Sequence, residues 1–543
     1  MIMKRFIAAV FTASILLSGC AGQADADFDN VIPRPAEITS GDAGSFKIKR
    51  STKILCPPGD SAMLRNAHFL AQYINESTGL DLDIKIGKKC GKAIVLAVDT
   101  LIAGEEAYAL KVYKNRILIE GGSPKGVFYG IQTLRKAVPA ETENCASVNV
   151  PSVKIVDAPR FGYRGMMLDV GRYWFPVDFV KKFIDALALH NMNVFHWHLT
   201  EDQGWRIQID KYPKLTTVGS VRRETMIGKD WDAFDGTPCG GFYTKDEIRE
   251  VVKYAADRNI TVIPEIDLPG HMMAALASYP ELGCTGGPYE VATSWGIKPD
   301  VLCVGNEKTF EFLEDVFDEV MELFPSEYIH VGGDEVPRDR WRECPKCQAR
   351  IRNEGLSSDS KYSAEDRLQS YCMARIEKYL NSKGRRIIGW EEILKGDVAP
   401  NATVMSWRGV ASGLEAARLG HDVIMSPCQY MYFDYYQTDD VENEPLAIGG
   451  CVTLDTVYNF EPELPEMTPE QHGYVIGVQA NLWTEYISKP EYAEYMMLPR
   501  MAALSEVQWT QPDNKDWNSF VARLESLVKF YERDGYNYRA ISR

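Results

Sequence analysis

From Tyr163 onward the chain repeats one rhythm: a short apolar run, a polar or aromatic end, then a helical stretch. The runs are RGMMLDVG (164–171), NVFHWHLT (193–200), NITVIPEID (259–267), YIHVGGDE (328–335), RRIIGWEE (385–392), ATVMSWRG (402–409), DVIMSPC (422–428) and VIGVQANLWTE (475–485). Strands buried on both faces read as continuous apolar runs rather than alternating ones. Amphipathic helical patterns at 177–190, 244–258, 308–324 and 363–383 fit between them. Eight such strands alternating with helices predict an α/β chain built on a (β/α)8 TIM barrel. A doubly wound open sheet competes, but no Gly-rich nucleotide fingerprint follows the first run.

At 543 residues the chain holds a barrel of about 250 residues or more and a smaller partner. The partner is expected at 31–157, where SFKIKRSTKIL and KAIVLAV read as strands and YALKVYKNRILIEGG as a hairpin turning at Lys114-Asn115. Helices are predicted at 62–77 and 124–138. This is a small N-terminal α+β domain with no evident chemistry. Pro151 and Pro159 mark the junction, so the catalytic barrel with its C-terminal helices takes 160–543.

Upstream, Lys4 and Arg5 precede an apolar stretch of about a dozen residues, too short for a permanent membrane span. It closes on Leu17-Ser18-Gly19-Cys20, which resembles a lipoprotein lipobox. Residues 1–20 are therefore expected to be a signal peptide, with lipidation at Cys20, and the small acidic stretch 21–30 a tether. The expected location is an exported lipoprotein, on the periplasmic or cell-surface side of the outer membrane. Of the twelve cysteines, eleven remain once Cys20 is set aside, so at least one is free or pairs elsewhere. An exported chain permits disulfides, and Cys284 with Cys303 in one loop is a candidate pair. Cys344-Pro-Lys-Cys347 is a lone CxxC; with no second pair near it in sequence, a local disulfide or free thiols are favoured over zinc.

A net charge of −16 disfavours nucleic acid or an anionic membrane surface as partner, and a neutral sugar or peptide fits it better. In a barrel the chemistry sits beyond the C-terminal ends of the strands. There the runs end in Arg172, His198 to Glu201, Glu265, Asp267, Asp334-Glu335, Trp390-Glu391, Trp407, Trp483 and Glu485. His196 and His198, at i and i+2, raise the possibility of a metal hydrolase, with His271 and His330 on other strand ends. Histidines hydrogen-bonded around a polar cavity are the favoured alternative. No GxSxG supports a serine nucleophile.

Carboxylates carry the strongest signal. Glycosidases usually set two carboxyls across the scissile bond, about 5–5.5 Å apart for retention and 6.5–9.5 Å for inversion. Adjacent residues of one strand point to opposite faces, so Asp334 and Glu335 are poorly placed as that pair. They suit a different division, in which one protonates the leaving oxygen and the other holds a substrate group that supplies the nucleophile. Helix capping by Asp-Glu after Gly-Gly is the bland alternative. Trp390, Trp407 and Trp483, each ending a different run, shift the balance toward a sugar cradle.

RGMMLDVGRYWFP, NVFHWHLTEDQGWRI, PEIDLPGH, HVGGDE, GW followed by SWRG, YFDYYQ and LWTE together resemble glycoside hydrolase family 20, the β-N-acetylhexosaminidases. GVFYGIQTLRKAV is similar to that family's small N-terminal domain. The resemblance implies an exo-acting, retaining enzyme without metal or cofactor that removes terminal β-linked GlcNAc or GalNAc from glycans. Glu335 would be the acid and then the base. Asp334 would hold the 2-acetamido N–H while the acetamido oxygen attacks, the substrate-assisted exception to the two-carboxylate scheme. Tyr432 would bind the acetamido oxygen, Trp390, Trp407 and Trp483 would wall its pocket, and Arg172, Asp434 and Glu485 would bind hydroxyls. His271 would stand near the catalytic pair, and Glu201, counted with the substrate-site residues, would support a neighbouring His or Arg. Two positions depart from the family pattern: Glu201-Asp202, where Asp-Asp is frequent, and Tyr173, where His is common. A lacto-N-biosidase-like enzyme releasing a disaccharide and a non-catalytic glycan-binding lipoprotein are the alternatives.

Overall fold

A computed structural model describes residues 22–87, 91–142 and 145–541. Residues 1–21, which carry the expected signal peptide and Cys20, lie outside the described residues. Among the described residues no helix is long and apolar enough to cross a membrane.

All eight apolar runs form strands: β1 Tyr163–Asp169, β2 Val194–His198, β3 Thr261–Glu265, β4 Tyr328–His330, β5 Arg386–Trp390, β6 Thr403–Ser406, β7 Val423–Met425 and β8 Val475–Leu482. They pair in parallel, in chain order, and β8 closes on β1 through Gly477 to Leu482 against Tyr163 to Leu168. Outside the ring lie the helices Val177–Leu189, Lys245–Asp257, Glu307–Leu323 and Ala364–Ser382. Two of them start on reciprocal caps: Thr244 with Glu247, and Ser363 with Asp366. Between β5 and β6 there is only a single 3-10 turn, Glu391–Leu394, which keeps those residues at the barrel mouth.

Inside the barrel, an apolar layer of Val194, Ile263, Ile388, Met405 and Ile424 forms a floor, with Tyr163 and Trp390 in the same cluster. A polar layer adjoins it. Gln479 accepts from the Tyr163 hydroxyl at 2.6 Å, and its amide meets His196 Nδ1 at 2.9 Å.

The N-terminal domain is an eight-stranded mixed sheet packed on the helices Ser61–Thr78 and Pro124–Ala137. Its long last strand, Ser147–Asp157, precedes the barrel by a short link. The hairpin at Lys114-Asn115 forms as expected. The tether does not: Gln23–Asp25 pairs in parallel with Ser147 to Asn149, and a 3-10 turn at Phe28–Asn30 buries Phe28 to 4% exposure. Buried Phe28 and Ala26, the edge pairing, and the bonds of Ala26 and Asp27 N–H to Asn149 and Ala137 fix a segment whose composition reads as a linker.

Arg164, at the start of β1, locks the two domains together. Its guanidinium donates to both carboxylate oxygens of Glu106, at 2.7 and 3.1 Å, and to the Tyr129 hydroxyl at 2.9 Å. Nearby, buried Asp157 accepts from Tyr108 at 2.7 Å and from the Trp509 indole at 3.0 Å.

Candidate active site

The β4 strand ends at His330, and the backbone then turns sharply. Gly332 and Gly333 have φ of +62° and +102°, values that L side chains rarely adopt. A Cβ on Gly332 would lie 1.7 Å from Asp267 Oδ1, and one on Gly333 would lie 2.8 Å from Ile393. These glycines are therefore fixed by the turn and by close packing. Gly333 N–H donates to Asp267 Oδ1 at 3.1 Å, and Gln369 donates to the Gly333 carbonyl at 2.6 Å.

The turn places Asp334 and Glu335. Glu335 itself has φ +47°, a left-handed conformation that costs a non-glycine residue of order 1–3 kcal/mol. Strand alternation predicts that the two side chains diverge. Instead, Asp334 Oδ2 and Glu335 Oε2 each lie 3.7 Å from His271 Nε2, so both face one cavity. The left-handed residue lies beyond the strand and breaks the alternation. The Asp334 side chain is 12% exposed and that of Glu335 30%.

That cavity, of about 530 Å³, is lined by Asp334, Glu335, His271, Arg172, Asp434, Glu485, Trp390, Trp407, Tyr432 and Trp483 among others. Ten of the eleven expected site residues thus converge from seven strand ends. Glu201, after β2, is the exception; it does not line the cavity. It is buried behind it, 2.7 Å from Arg172 and 3.1 Å from His271 Nδ1. The chain there comes close enough that a Cβ on Gly171 would sit 2.6 Å from Glu201 Cβ. Glu201 is thus a positioning residue for a guanidinium and an imidazole.

The aromatic wall is continuous. Trp390 and Trp483 have ring centroids 5.6 Å apart, Trp483 and Tyr432 6.3 Å, and Tyr432 stacks on Trp407 at 6.0 Å with planes 13° apart. Arg172 lies 5.0 Å over the Trp483 ring. Polar anchors fix the indoles: Trp390 donates to Glu265 at 2.9 Å and Trp407 to Glu392 at 3.0 Å. Glu392 also accepts from the Glu335 backbone N–H at 3.4 Å.

Beneath the wall the three strand histidines surround one carboxylate. Glu265 Oε2 is 2.8 Å from His196 Nε2 and 2.5 Å from His198 Nδ1, while Oε1 is 3.0 Å from His330 Nδ1. Burial opposes the Glu265 charge, but the three imidazoles overcome it and hold the carboxyl well below its usual range. The HxH pair therefore supports the site as a hydrogen-bonded platform.

Burial pushes the Asp334 carboxyl up to about 7, against the neighbouring His271. His271 also has burial against its charge, yet Glu201, Asp202 and Asp334 hold the imidazolium well above its ordinary range. Burial, with Glu485 beside it, raises Asp434 well above a normal carboxyl, and burial raises Glu485 against the pull of Arg172. Among the described residues, Asp334 Oδ1, Asp434 Oδ1 and Glu485 Oε2 are buried without a hydrogen-bond partner. Buried acceptors are normally satisfied, so three of them at one cavity mark where a ligand rich in O–H and N–H donors can bind.

Other residues complete the site. Trp231, 59% exposed, Trp295, Ile448 and Tyr486 line the cavity mouth. Tyr173 packs against Trp295 at 5.8 Å, so this departure from the family pattern touches a lining residue and does not itself line the cavity. Glu392 had a visible signal, as the neighbour of Trp390-Glu391 on an apolar run. Trp231 had none, because it comes from a loop strand, Asp230–Phe234, far from any barrel strand in sequence.

Two domain families match the chain: "Glycosyl hydrolase family 20, catalytic domain" over residues 161–512, and "Glycosyl hydrolase family 20, domain 2" over 29–158. A β-hexosaminidase of Porphyromonas gingivalis is 46% identical over 516 residues, covering 94% of this chain and 64% of the relative. This chain thus spans just under two thirds of that protein's length. A β-N-acetylhexosaminidase of Cellulomonas fimi is 33% identical, covering 94% of this chain and 96% of the relative. The crystal structure of a family 20 exo-β-N-acetylglucosaminidase from Vibrio harveyi, in complex with N-acetylglucosamine, superposes with a TM-score of 0.81 at 31% identity, covering 95% of this chain and 79% of the other. With both domain families in order and the barrel carrying its carboxylates and tryptophans at one mouth, the chain belongs to glycosyl hydrolase family 20.

Proposed function

We propose that this protein is an exo-acting, retaining β-N-acetylhexosaminidase that removes terminal β-linked GlcNAc or GalNAc by substrate-assisted catalysis. The observation that carries this reading is the Asp334–Glu335 pair. Both carboxyls face one tryptophan-walled cavity from the same side, and Asp334 offers a buried, unpartnered oxygen. A pair on one side of a sugar cannot bracket its scissile bond, so the nucleophile comes from the substrate.

In this mechanism Glu335 donates its proton to the glycosidic oxygen as the C1–O bond breaks. The 2-acetamido carbonyl oxygen attacks C1, and Asp334 accepts the amide N–H and stabilises the positive charge of the resulting oxazolinium ring. Water then attacks C1 from the face the leaving group vacated. Glu335 takes its proton, and the β configuration is restored. Interactions that strengthen only as charge develops are the ones that raise turnover. An Asp334 carboxyl near pH 7 in the free protein gains a reason to ionise once a cation forms beside it. Arg172, Asp434 and Glu485 hold the sugar hydroxyls, and the indoles exclude water from the acetamido pocket.

The names of the relatives support the substrate class, and the bound N-acetylglucosamine of the Vibrio harveyi enzyme supports an exo site for one sugar. Aryl β-GlcNAc and β-GalNAc glycosides assayed beside free oligosaccharides test the reading directly. Release of the single N-acetylhexosamine in the β form, with tight inhibition by a thiazoline mimic of the intermediate, is the expected result. Release of a disaccharide, or a mimic that binds no better than free GlcNAc, contradicts it.

We also propose that the protein is an exported lipoprotein, on the strength of the sequence at 4–20 alone. Incorporation of labelled palmitate that Cys20→Ala abolishes is the expected outcome.

A further inference from the structure

Away from the sugar cavity, four cysteines meet at one point. Cys284 and Cys303 belong to the long loop after β3; Cys344 and Cys347 belong to the segment after β4. Gly283 and Leu302 form an antiparallel bridge, and Cys303 N–H donates to the Leu282 carbonyl at 2.8 Å, which brings the first two cysteines side by side. The other two flank the start of the helix Pro345–Asn353. Gly305 lets the segments touch: a Cβ there would lie 2.1 Å from the Lys346 carbonyl carbon and 2.3 Å from Cys347 N.

The candidate disulfide between Cys284 and Cys303 is not present, and the ten described cysteines are all free thiols. The closest sulfurs pair across the two loops instead. Cys284 and Cys347 are 3.8 Å apart, Cys303 and Cys344 3.6 Å, and Cys303 and Cys347 3.7 Å. All four sulfurs lie within 4.8 Å of one another. A disulfide needs about 2.05 Å, so these contacts are far too long for bonded pairs. A tetrahedral zinc site with Zn–S near 2.3 Å has sulfur–sulfur edges of about 3.75 Å. The three edges, 3.6 to 3.8 Å, fall around that value. Three of the four cysteines are buried and Cys284 is half-buried, as a closed structural site requires.

We propose that Cys284, Cys303, Cys344 and Cys347 bind one structural zinc ion as a four-thiolate site. Binding converts four thiols to thiolates with release of their protons, and no oxidant or reductant takes part. The ion clips the loop after β3, which carries His271 and Trp295, to the segment after β4 that opens with Asp334 and Glu335. It thereby holds the two halves of the catalytic constellation in register without touching the substrate.

The test is metal analysis of the full chain, purified without added metal or chelator, together with mass spectrometry of its cysteines. The expected result is about one zinc per chain, with Cys284, Cys303, Cys344 and Cys347 unmodified by iodoacetamide in the native protein and alkylated after denaturation with chelator. Cys303→Ser and Cys347→Ser should each lose the zinc and lower Tm, while Cys239→Ser keeps it. Zinc-free wild-type protein, disulfide-linked peptides among these four residues, or zinc retained by both variants would overturn the proposal. The wild-type zinc stoichiometry is measured without any substitution, so it decides the matter even where a variant fails to fold. Hydrolase activity is not among the readouts, so failure of the zinc site and failure of the proposed reaction are separable.

Discussion

His271 Nε2 stands 3.7 Å from Asp334 Oδ2, while its Nδ1 faces Glu201 at 3.1 Å and Asp202 at 3.2 Å. The imidazole lies between carboxyl groups that favour its charged form, itself in the left-handed conformation with φ +51°. It is also the one basic side chain within 4 Å of Asp334 and Glu335 among the described residues, and it opposes the rise in the Asp334 pKa. Removing it therefore makes Asp334 harder to ionise. If Asp334 must be an anion to accept the amide N–H, kcat/KM falls as pH drops through about 7 in the wild type. In His271→Asn the acid limb should move to higher pH. A pH profile of kcat/KM for both proteins checks this, and an unmoved limb would show that another group governs it.

Asp334→Asn separates function from stability. Turnover should fall roughly 100- to 1,000-fold, the scale for losing one preorganised electrostatic partner. Stability should change in the opposite direction. The folded carboxyl sits near 7 and the unfolded one near 3.8, so the wild type carries a penalty for the buried charge. That penalty is absent below about pH 4, grows as pH rises, and is complete above about pH 7. The variant should thus have a higher Tm than wild type at pH 8 and an equal one at pH 4. Thermal melts at the two values decide it.

Glu335→Gln should lose about 100- to 10,000-fold in kcat/KM, the range for one general acid or base. The loss should depend on the leaving group. A glycoside whose phenol departs without protonation needs no acid to break the C1–O bond, so its kcat/KM should fall least, while oligosaccharides should be cleaved hardly at all. A uniform loss across leaving groups in kcat/KM would indicate a binding role instead.

The eight strands could be read from the sequence because each is buried on both faces and so is apolar without alternation. The β4 run shows where that signal stops. Its apolar letters continue to Val331, yet the strand ends at His330, because Gly332 and Gly333 carry left-handed turns that a pattern of apolar residues does not encode. The same turn explains why Asp334 and Glu335 share a face. Arg172, His271 and the three tryptophans are visible as chemistry-bearing strand ends, and so is Glu201 as a support for a neighbouring His or Arg; which two groups it holds, Arg172 and His271, depends on packing. The cysteine cluster was hidden for a different reason. Only Cys344 and Cys347 are close in sequence, and the contact at Gly305 that brings Cys284 and Cys303 to them is tertiary. Phe28 shows that one aromatic in a polar stretch can be an anchor.

Trp231 stands at the cavity mouth, largely exposed, on a loop strand that touches none of the catalytic groups by hydrogen bond among the described residues. A stacking platform there would meet the sugar beyond the scissile bond. Trp231→Ala should raise KM for oligosaccharides several-fold, consistent with about 1 kcal/mol from one aromatic face, and leave kcat for a small aryl glycoside unchanged. Equal effects on both substrates would place its role in the fold of the loop.

Arg164 offers the test of how firmly the two domains are joined. Its side chain is 1% exposed and that of Glu106 17%, and the pair carries the Tyr129 hydroxyl with it. Arg164→Met leaves Glu106 in a largely buried place without its cation, and stranding one partner of a buried pair costs about 3–5 kcal/mol. The partial exposure of Glu106 puts this case at the low end, with a fall in Tm of several degrees as the readout. Adding Glu106→Gln removes the stranded charge and should recover part of the loss, since what hurts is the unpaired carboxylate more than the missing attraction. A double variant as unstable as the single one would mean that Arg164 acts chiefly through its bonds to the Phe161 and Asn191 carbonyls, at 2.9 Å each. In either case the cavity lies at the opposite end of β1, beyond Asp169, so KM for an aryl glycoside should stay near the wild-type value while the protein remains folded.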